Sequence, residues 1–525
     1  MLHRAVQAGW AAFVRSVAAK ERSVPRFCQR EIEAFLRCGV PAHGVARVHC
    51  DGCGADDVVA FSCKGRGICP SCGAARMVDT AAWLCDAVLP EVPVRQWVLS
   101  LPYRVRALCA YDAAACALVR SVLVRAVSGF YERTAGRAGV PRPRTGAVAF
   151  VQRFDSALRL NVHFHVLWLD GAYGWVPGQG QPVFHAQPEV ADADVQLLVQ
   201  RIRARVLRAL RKAGKWVDED AAADTDCAPA DDLLPGLAAA AVAGRAAFGE
   251  RAGRRDGRVG GDVRWQPQAK GPLCAELDGF SLHANTWVAP RDRERLEALC
   301  RYAARPAVSE SRLAELPDGR IGYALKRRFA DGTTAVVMTN AVLMERLCAL
   351  VPPPRKHLVT YHGVLAPASG LRPKVVPRQT AAGEEEAAGA AAGCRHGAGG
   401  GGARQVAGAD NAATPATSAA VAIRRQHAER RARARLRVPH RSGRRRSRRQ
   451  RLPWADLLRR VFGIDVLVCP KCAGPRRVLA AIHDPAAIAR VLAALGLTAA
   501  GADPPGCRAP PAAQGDAADD GDAAE

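Results

Sequence analysis

Leu160-Asn161-Val162-His163-Phe164-His165-Val166-Leu167-Trp168-Leu169-Asp170-Gly171 is the stretch from which the fold and the chemistry of this chain are read. Its apolar residues suit a strand, and along a strand side chains alternate between faces. Val162, Phe164 and Val166 then point one way, and Asn161, His163 and His165 the other. Two imidazoles side by side on rigid backbone make half of a metal site. Alone, the pair fits equally a half-buried strand whose histidines only hydrogen-bond. Gly146-Ala-Val-Ala-Phe-Val-Gln-Arg-Phe154 just upstream reads as a second strand joined by a short loop. The two predict an antiparallel pair with the histidines on the inner strand.

Upstream lies a stronger signal. Cys50-Asp-Gly-Cys53 and Cys69-Pro-Ser-Cys72 have the form C-x2-C-x15-C-x2-C. That spacing predicts one tetrahedral zinc site with Cys50, Cys53, Cys69 and Cys72 as ligands. His43, His49, Cys38 and Cys63 lie nearby as substitute ligands or as part of a second site. Val58–Ser62 reads as a small hairpin strand between the knuckles. Lys64, Arg66 and Arg76 are close to the site in sequence and suit phosphate contact. A third pair, Cys469-Pro-Lys-Cys472, has no companion in its own segment. It is read as a half-site, a site with a distant fourth ligand, or no metal site.

Composition agrees with a nucleic-acid partner. The net charge of +25 over 525 residues favours a polyanion. Apolar runs fall short of a membrane span, and Met1–Val24 carries no signal-peptide core, so the expectation is a cytoplasmic protein with no membrane partner. The 18 cysteines, several in Cys-x-x-Cys pairs, point to thiolate ligands in a reducing compartment rather than to disulfides.

Outward from the His-Phe-His stretch the chain divides into five segments. Residues 1–90 are helical and zinc-binding, a zinc-ribbon-like DNA-recognition module. Residues 91–375 mix strands and helices. Gln96–Pro102 reads as a strand, and roughly Ala107–Thr134 as one long apolar helix. Cys274–Ala289 reads as one strand with Ser281, His283 and Asn285 on its polar face. Pro290–Pro306 is a helix with Tyr302 and Arg305 at the edge of its apolar stripe. Gly322–Met338 is a hairpin. Residues 376–451 are an Ala/Gly-rich then arginine-rich linker, 452–500 a small Cys-x-x-Cys module, and 501–525 a disordered tail.

In this order the motifs resemble the rolling-circle, HUH-superfamily transposases of bacterial insertion sequences, the IS91 family. The resemblance rests on the four paired cysteines with Phe61-Ser-Cys-Lys64 between them, and on Leu99-Ser-Leu-Pro-Tyr-Arg104. It continues through Leu160–Val166 with Leu169-Asp-Gly171, Asp278-Gly-Phe-Ser-Leu-His-Ala284, Cys300-Arg-Tyr-Ala-Ala-Arg-Pro306 and Tyr361-His-Gly363. It implies an α+β fold in which a five-stranded antiparallel sheet is flanked by helices, as in HUH endonucleases. It also implies a transposase that nicks and rejoins single-stranded DNA. His163 and His165 match the motif's metal ligands for Mg²⁺ or Mn²⁺, and Tyr302 matches the nucleophile. Ala298 stands where some members carry a second tyrosine, so the chain resembles the single-tyrosine branch. For the third ligand His283 is chosen, as a histidine on a polar strand face just before the tyrosine helix, with Glu276 and His362 as alternatives. Arg301 and Arg305 are read as phosphate contacts. No Gly-Lys-Ser/Thr nucleotide-binding motif is present, so unwinding would need a host helicase. Two other readings are a plasmid or phage rolling-circle replication initiator and a non-catalytic zinc DNA-binding protein.

Overall fold

The computed structural model describes residues 1–175, 178, 180–216, 233–260, 271–329, 331–377 and 453–497. In chain order the first elements are α1 (Leu2–Ala18), α2 (Arg26–Leu36), β1 (Val45–Cys50), β2 (Asp56–Ala60) and α3 (Pro70–Ala87). Next come β3 (Val94–Ser100), α4 (Tyr103–Tyr111), α5 (Ala113–Arg137), β4 (Gly146–Phe154), β5 (Leu160–Leu169), β6 (Gly171–Gly174) and β7 (Val183–Ala186). They are followed by α6 (Asp192–Lys212), α7 (Leu233–Ala243), β8 (Gly257–Val259), β9 (Cys274–Leu277), β10 (Phe280–His283), β11 (Trp287–Val288) and α8 (Arg293–Ala303). The last are β12 (Leu313–Glu315), β13 (Ile321–Ala324), β14 (Ala335–Met338), α9 (Asn340–Leu350), β15 (Val359–Gly363), α10 (Arg372–Val375), α11 (Trp454–Phe462), β16 (Arg476–Ile482) and α12 (Pro485–Ala494).

The His-Phe-His stretch is β5, an inner strand of an antiparallel sheet in the order β15-β4-β5-β3-β10-β9, with β11 also paired to β3. The fold is α+β with helices on both faces. The sheet has seven strands, not the five the resemblance implies. One of the extra strands comes from Asp278-Gly279, which lies within the segment read as a single strand. Both residues have positive φ, 49° and 74°, the two-residue turn that folds a hairpin. That turn makes β9 and β10 a pair, with Phe280 opposite Leu277.

Strand alternation sorts the two faces. Val162, Phe164, Val166 and Trp168 of β5, with Trp97 and Leu99 of β3, are fully buried in the larger core. Here Trp97 meets Phe130 and Tyr131 of α5 edge-on, with centroids 6.2 and 6.4 Å apart. By length and composition α5 is apolar enough to cross a membrane, but Val119, Leu123, Val127 and Tyr131 are buried in this core. The single long helix expected over Ala107–Thr134 is two helices. Asp112 breaks it by accepting from the backbone N–H of Ala114 and Ala115 and so capping α5. On the opposite face, Val148, Phe150, Leu167 and Leu169 pack with Leu84 and Cys85 of α3 and with Leu296, Leu299, Cys300 and Ala303 of α8.

A buried ionic cluster ties the strand ends together. Arg95 holds Asp170 through both oxygens at 3.0 Å and donates to the Ala284 carbonyl at 3.0 Å. Tyr131 donates to Asp170 at 2.7 Å and accepts from the Trp97 indole at 3.0 Å. The aspartate of the Leu169-Asp-Gly171 motif thus joins β3, β5 and α5.

A second sheet, β16-β1-β2, forms from both ends of the chain. β16 pairs antiparallel with β1 from Val45↔Ile482 to Cys50↔Arg476. Ile488 and Leu492 of α12 pack on Val45, and Val461 of α11 packs on Ala74 and Val78 of α3. The segment read as a separate C-terminal module therefore completes the N-terminal one. The linker expected over 376–451, beyond Pro377, and the tail over 501–525 lie outside the described residues.

Candidate active site and metal centres

His163 and His165 lie on the face covered by α3 and α8, with their ring centroids 4.9 Å apart. Both are buried, His165 completely. His163 Nδ1 lies 2.9 Å from the Asn161 carbonyl. A carbonyl only accepts, so Nδ1 carries the proton and Nε2 the lone pair. His165 Nδ1 lies 2.5 Å from the Gln96 amide. That amide sets the tautomer of His165: its nitrogen side fixes the proton on Nε2, and its oxygen side frees Nε2 as a ligand. Burial, then the charges of His163 and Arg305, holds the His165 pKa well below the usual histidine range. The ring is neutral at pH 7, the form in which imidazole ligates a metal.

Asp292 starts α8 by accepting from the Arg295 N–H at 3.0 Å. The helix delivers Tyr302 to the histidines, with the His165 and Tyr302 centroids 5.5 Å apart and the rings at 85°. The Tyr302 hydroxyl oxygen is buried. Two cations flank its ring: the Arg305 guanidinium at 4.5 Å from the centroid and Lys326 Nζ at 5.8 Å. Gln152 pins the helix end, its amide donating to the Tyr302 carbonyl at 3.0 Å and the Ala303 carbonyl at 3.1 Å. Gln152 lies directly opposite His163 in the β4–β5 register. Its Oε1 is buried without a hydrogen-bond partner among the described residues, as are Asn161 Oδ1 and His165 Nε2. Sequence reading missed Gln96 and Gln152. Their signal was period-two alternation, which puts Gln96 and Gln152 on the histidine face once the strand register is known.

The remaining sequence candidates are dispersed. His283 is buried and shares the histidine face, but Val98 separates it from His165, since both are register partners of Val98. At about 4.8 Å per strand spacing, the His283 and His165 backbones stand roughly 10 Å apart. Glu276 lies one strand further out, opposite Ser281. His362 and Tyr361 are on the edge strand β15, where His362 meets the Thr360 hydroxyl at 3.0 Å. Burial lowers the His362 pKa to about 4. Arg301 pairs with Glu297 on the surface of α8 at 2.6 Å, while Arg305 stacks on Tyr302. Lys64 is exposed and holds a left-handed φ of 54°. The Arg66 backbone N–H donates to Glu31 at 2.6 Å.

The cysteines correct the sequence reading. Cys50, Cys53, Cys69 and Cys72 do not form one site. Cys38, Cys63, Cys69 and Cys72 form one tetrad, and Cys50, Cys53, Cys469 and Cys472 another, with sulfurs within 4.8 Å in each. They are the only such groups of three or more histidine, cysteine or carboxylate ligands found among the described residues. The cause is the β1–β2 hairpin. Cys50 and Cys53 sit at its tip, while Cys38 and Cys63 lie at its base, where the Gly39 N–H donates to the Phe61 carbonyl. Five residue pairs at roughly 3.3 Å each put tip and base about 15 Å apart. In the first tetrad sulfur contacts run from 3.4 to 3.8 Å. Hydrogen bonds from Cys38, Cys63 and Cys69 hold the Cys72 thiol far below the usual range, as a thiolate. Cys69 and Cys72 open α3, whose Gly73 lies so close to the end of the tyrosine helix segment that a Cβ would meet Pro306 Cβ at 2.5 Å. The first tetrad thus anchors the helix layer over the histidines.

Residues 146–372 match the family described as "Putative transposase" (Y2_Tnp), and residues 6–101 match the "Transposase zinc-binding domain" of IS91 type. No curated protein and no solved structure shows detectable similarity to the chain.

Proposed function

From the premise that this chain belongs to the IS91-type transposases, we propose that it cuts and rejoins one strand of DNA through Tyr302, beside a divalent ion held by His163 and His165. The observation that carries this reading is the meeting of the two buried imidazoles with Tyr302 on one sheet face.

The residues fit a metal. His163 Nε2 offers a lone pair, and His165 Nε2 does so when the Gln96 amide turns its oxygen to Nδ1. Gln152 Oε1 is a buried acceptor on the neighbouring strand and better placed than His283 as the third donor. This nitrogen and oxygen set is neutral and suits Mn²⁺ or Mg²⁺ with the phosphate supplying the charge. When bound, the ion neutralises a non-bridging phosphate oxygen.

The chain's own groups do the rest. The Tyr302 oxygen forms a bond to phosphorus as the bond to one deoxyribose oxygen breaks and that oxygen takes a proton. Arg305 and Lys326 over the ring stabilise the phenolate that precedes attack. The phosphotyrosine keeps the phosphoester for rejoining to a later hydroxyl. Ala298, one turn before Tyr302, leaves a single tyrosine on α8. The reaction this implies is rolling-circle transposition on single-stranded element ends in the cytoplasm, with a host helicase for unwinding.

The test is incubation of the full chain with end-labelled single-stranded DNA and Mn²⁺, read on a denaturing gel. A covalent adduct is expected that disappears in Tyr302→Phe and in His163→Ala/His165→Ala. An undiminished adduct in Tyr302→Phe would overturn the assignment and make Tyr361, on the same sheet face, the residue to examine.

A further inference from the structure

The C-terminal Cys-x-x-Cys pair plays no part in the reaction above, yet it is built as one half of a site. Cys50 Sγ lies 3.5 Å from Cys472 Sγ, and Cys53 Sγ lies 3.6 Å from Cys469 Sγ. Tetrahedral zinc with bonds of about 2.3 Å places its sulfurs roughly 3.8 Å apart, so the thiols already stand near that spacing. A disulfide would need about 2.05 Å, and all four cysteines are free.

The two knuckles are copies of one backbone design. The Cys50 N–H donates to the Ala55 carbonyl and the Gly54 N–H to the Cys50 carbonyl, each at 2.9 Å. The Cys469 N–H donates to the Gly474 carbonyl at 2.8 Å and the Ala473 N–H to the Cys469 carbonyl at 2.9 Å. The residue four after the first cysteine is left-handed in both, Gly54 at φ 69° and Ala473 at φ 57°. An alanine held at positive φ is strained, and this one is held there by the turn that aims both sulfurs inward. Beside the knuckles, β16 lies along β1, Arg476 pairs with Asp57 at 3.1 Å, and Phe61 meets His483 at 4.8 Å between centroids.

We propose that Cys50, Cys53, Cys469 and Cys472 hold a second zinc ion as a split ribbon, its two knuckles drawn from opposite ends of the chain. The ion clasps residues 453–497 onto the N-terminal module. The segment that resumes at Pro453 is thereby fixed to the module that begins the chain. The pairing extends beyond the matched zinc-binding segment, residues 6–101, and is independent of the tyrosine chemistry.

The test uses the full chain with a specific-protease site inserted between 379 and 450. Elemental analysis of the purified protein is expected to give two zinc ions per chain. Cys469→Ser/Cys472→Ser is expected to retain one, and Cys472→His, which keeps a ligand, two. After cleavage the two wild-type pieces are expected to co-elute and to separate when a chelator removes zinc, whereas the pieces of the double-serine variant separate with zinc present. Thiol alkylation supplies a reading without mutation. Cys53 and Cys472 are exposed, so burial alone would not protect them, and resistance that a chelator abolishes marks metal ligation. Two zinc ions in the double-serine variant, rapid alkylation of Cys472 in zinc-loaded protein, or pieces that stay joined equally well without Cys469 and Cys472 would each overturn the proposal.

Discussion

Gln152 is where positioning and chemistry meet at the tyrosine, and Gln152→Leu, which removes both, is the first perturbation to make. The Gln152 amide donates to two carbonyls at the end of α8, at 3.0 and 3.1 Å. Leucine keeps the volume and removes both donors. Tyr302's carbonyl retains a weak donor in the Arg305 N–H at 3.4 Å, so its loss falls at the low end of the range. Two net hydrogen bonds at about 1 kcal/mol each, plus a partly unsatisfied buried carbonyl, come to about 2–3 kcal/mol. Expressed in the population of α8 ends that hold Tyr302 against His165, this is roughly a 30- to 160-fold slower reaction. Single-turnover adduct formation on single-stranded DNA measures it, and hydrogen exchange at Ala303 and Ala304 reports whether the helix end has loosened. Gln152→Glu divides the two roles of the residue. It keeps an oxygen for a metal but loses the donors, so it is expected to be as slow as leucine if pinning dominates, and to recover with tighter Mn²⁺ dependence if ligation does. Wild-type adduct rates in Gln152→Leu, within about threefold, with unchanged exchange would show that Gln152 neither pins Tyr302 nor ligates the ion.

The other predictions are simpler. Gln96→Leu leaves His165 without an orienting partner and is expected to weaken Mn²⁺ affinity about 10- to 100-fold, whereas Gln96→Glu fixes the proton on Nδ1 and preserves it, as isothermal titration would show. Asp170→Ala strands the Arg95 guanidinium, and breaking a buried pair of this kind costs about 3–5 kcal/mol, measurable by urea unfolding. Cys38→Ser/Cys63→Ser is expected to lose one zinc ion and lower the thermal midpoint, because the first tetrad anchors α3 beneath α8. Acid is expected to destabilise the fold from pH 6.5 downward. Burial depresses the folded-state pKa of His165 and brings that of His362 to about 4. Below the ordinary value of 6.5 the unfolded chain therefore binds protons that the folded one does not, and stability falls as pH falls through that window. His362→Gln should flatten the part of the decline between 6.5 and 4 in urea melts taken across pH.

Which face of a regular element a side chain takes was legible. Strand alternation alone assigned His163 and His165 to one face, and the helical stripe put Tyr302 at its edge, because both periods are fixed by backbone geometry. What periodicity does not carry is register. Whether His283, Gln152 or Gln96 comes near His165 depends on which residue opposes which across strands. Those pairings are set by turns such as Asp278-Gly279 and by the buried contacts of distant helices. The extra hairpin was in fact written locally, since Asp-Gly between two apolar runs is a turn signal. The break at Asp112 was also local, as an aspartate able to cap a helix inside an otherwise apolar run.

The cysteines fail differently, and the reason is instructive about metal sites. A Cys-x-x-Cys knuckle specifies two ligands and says nothing of where the other two come from. Pairing Cys50-x-x-Cys53 with the next knuckle along the chain minimises loop closure, which is a sound prior when the loop is free. Here the loop is a hairpin. Its strands are stiff, so the knuckle at the tip is held away from everything near its base, and the shortest loop in sequence is closed off in space. The base recruits Cys38 and Cys63, single cysteines with no partner nearby in sequence, and the tip is left needing two sulfurs. The chain supplies them from residues 469 and 472, and a loop of about 400 residues is tolerable because the closure penalty grows only logarithmically, by about 0.6 kcal/mol per doubling of length. A stiff short path thus loses to a long one, and a left-over Cys-x-x-Cys far along the chain is what that outcome leaves visible in a sequence.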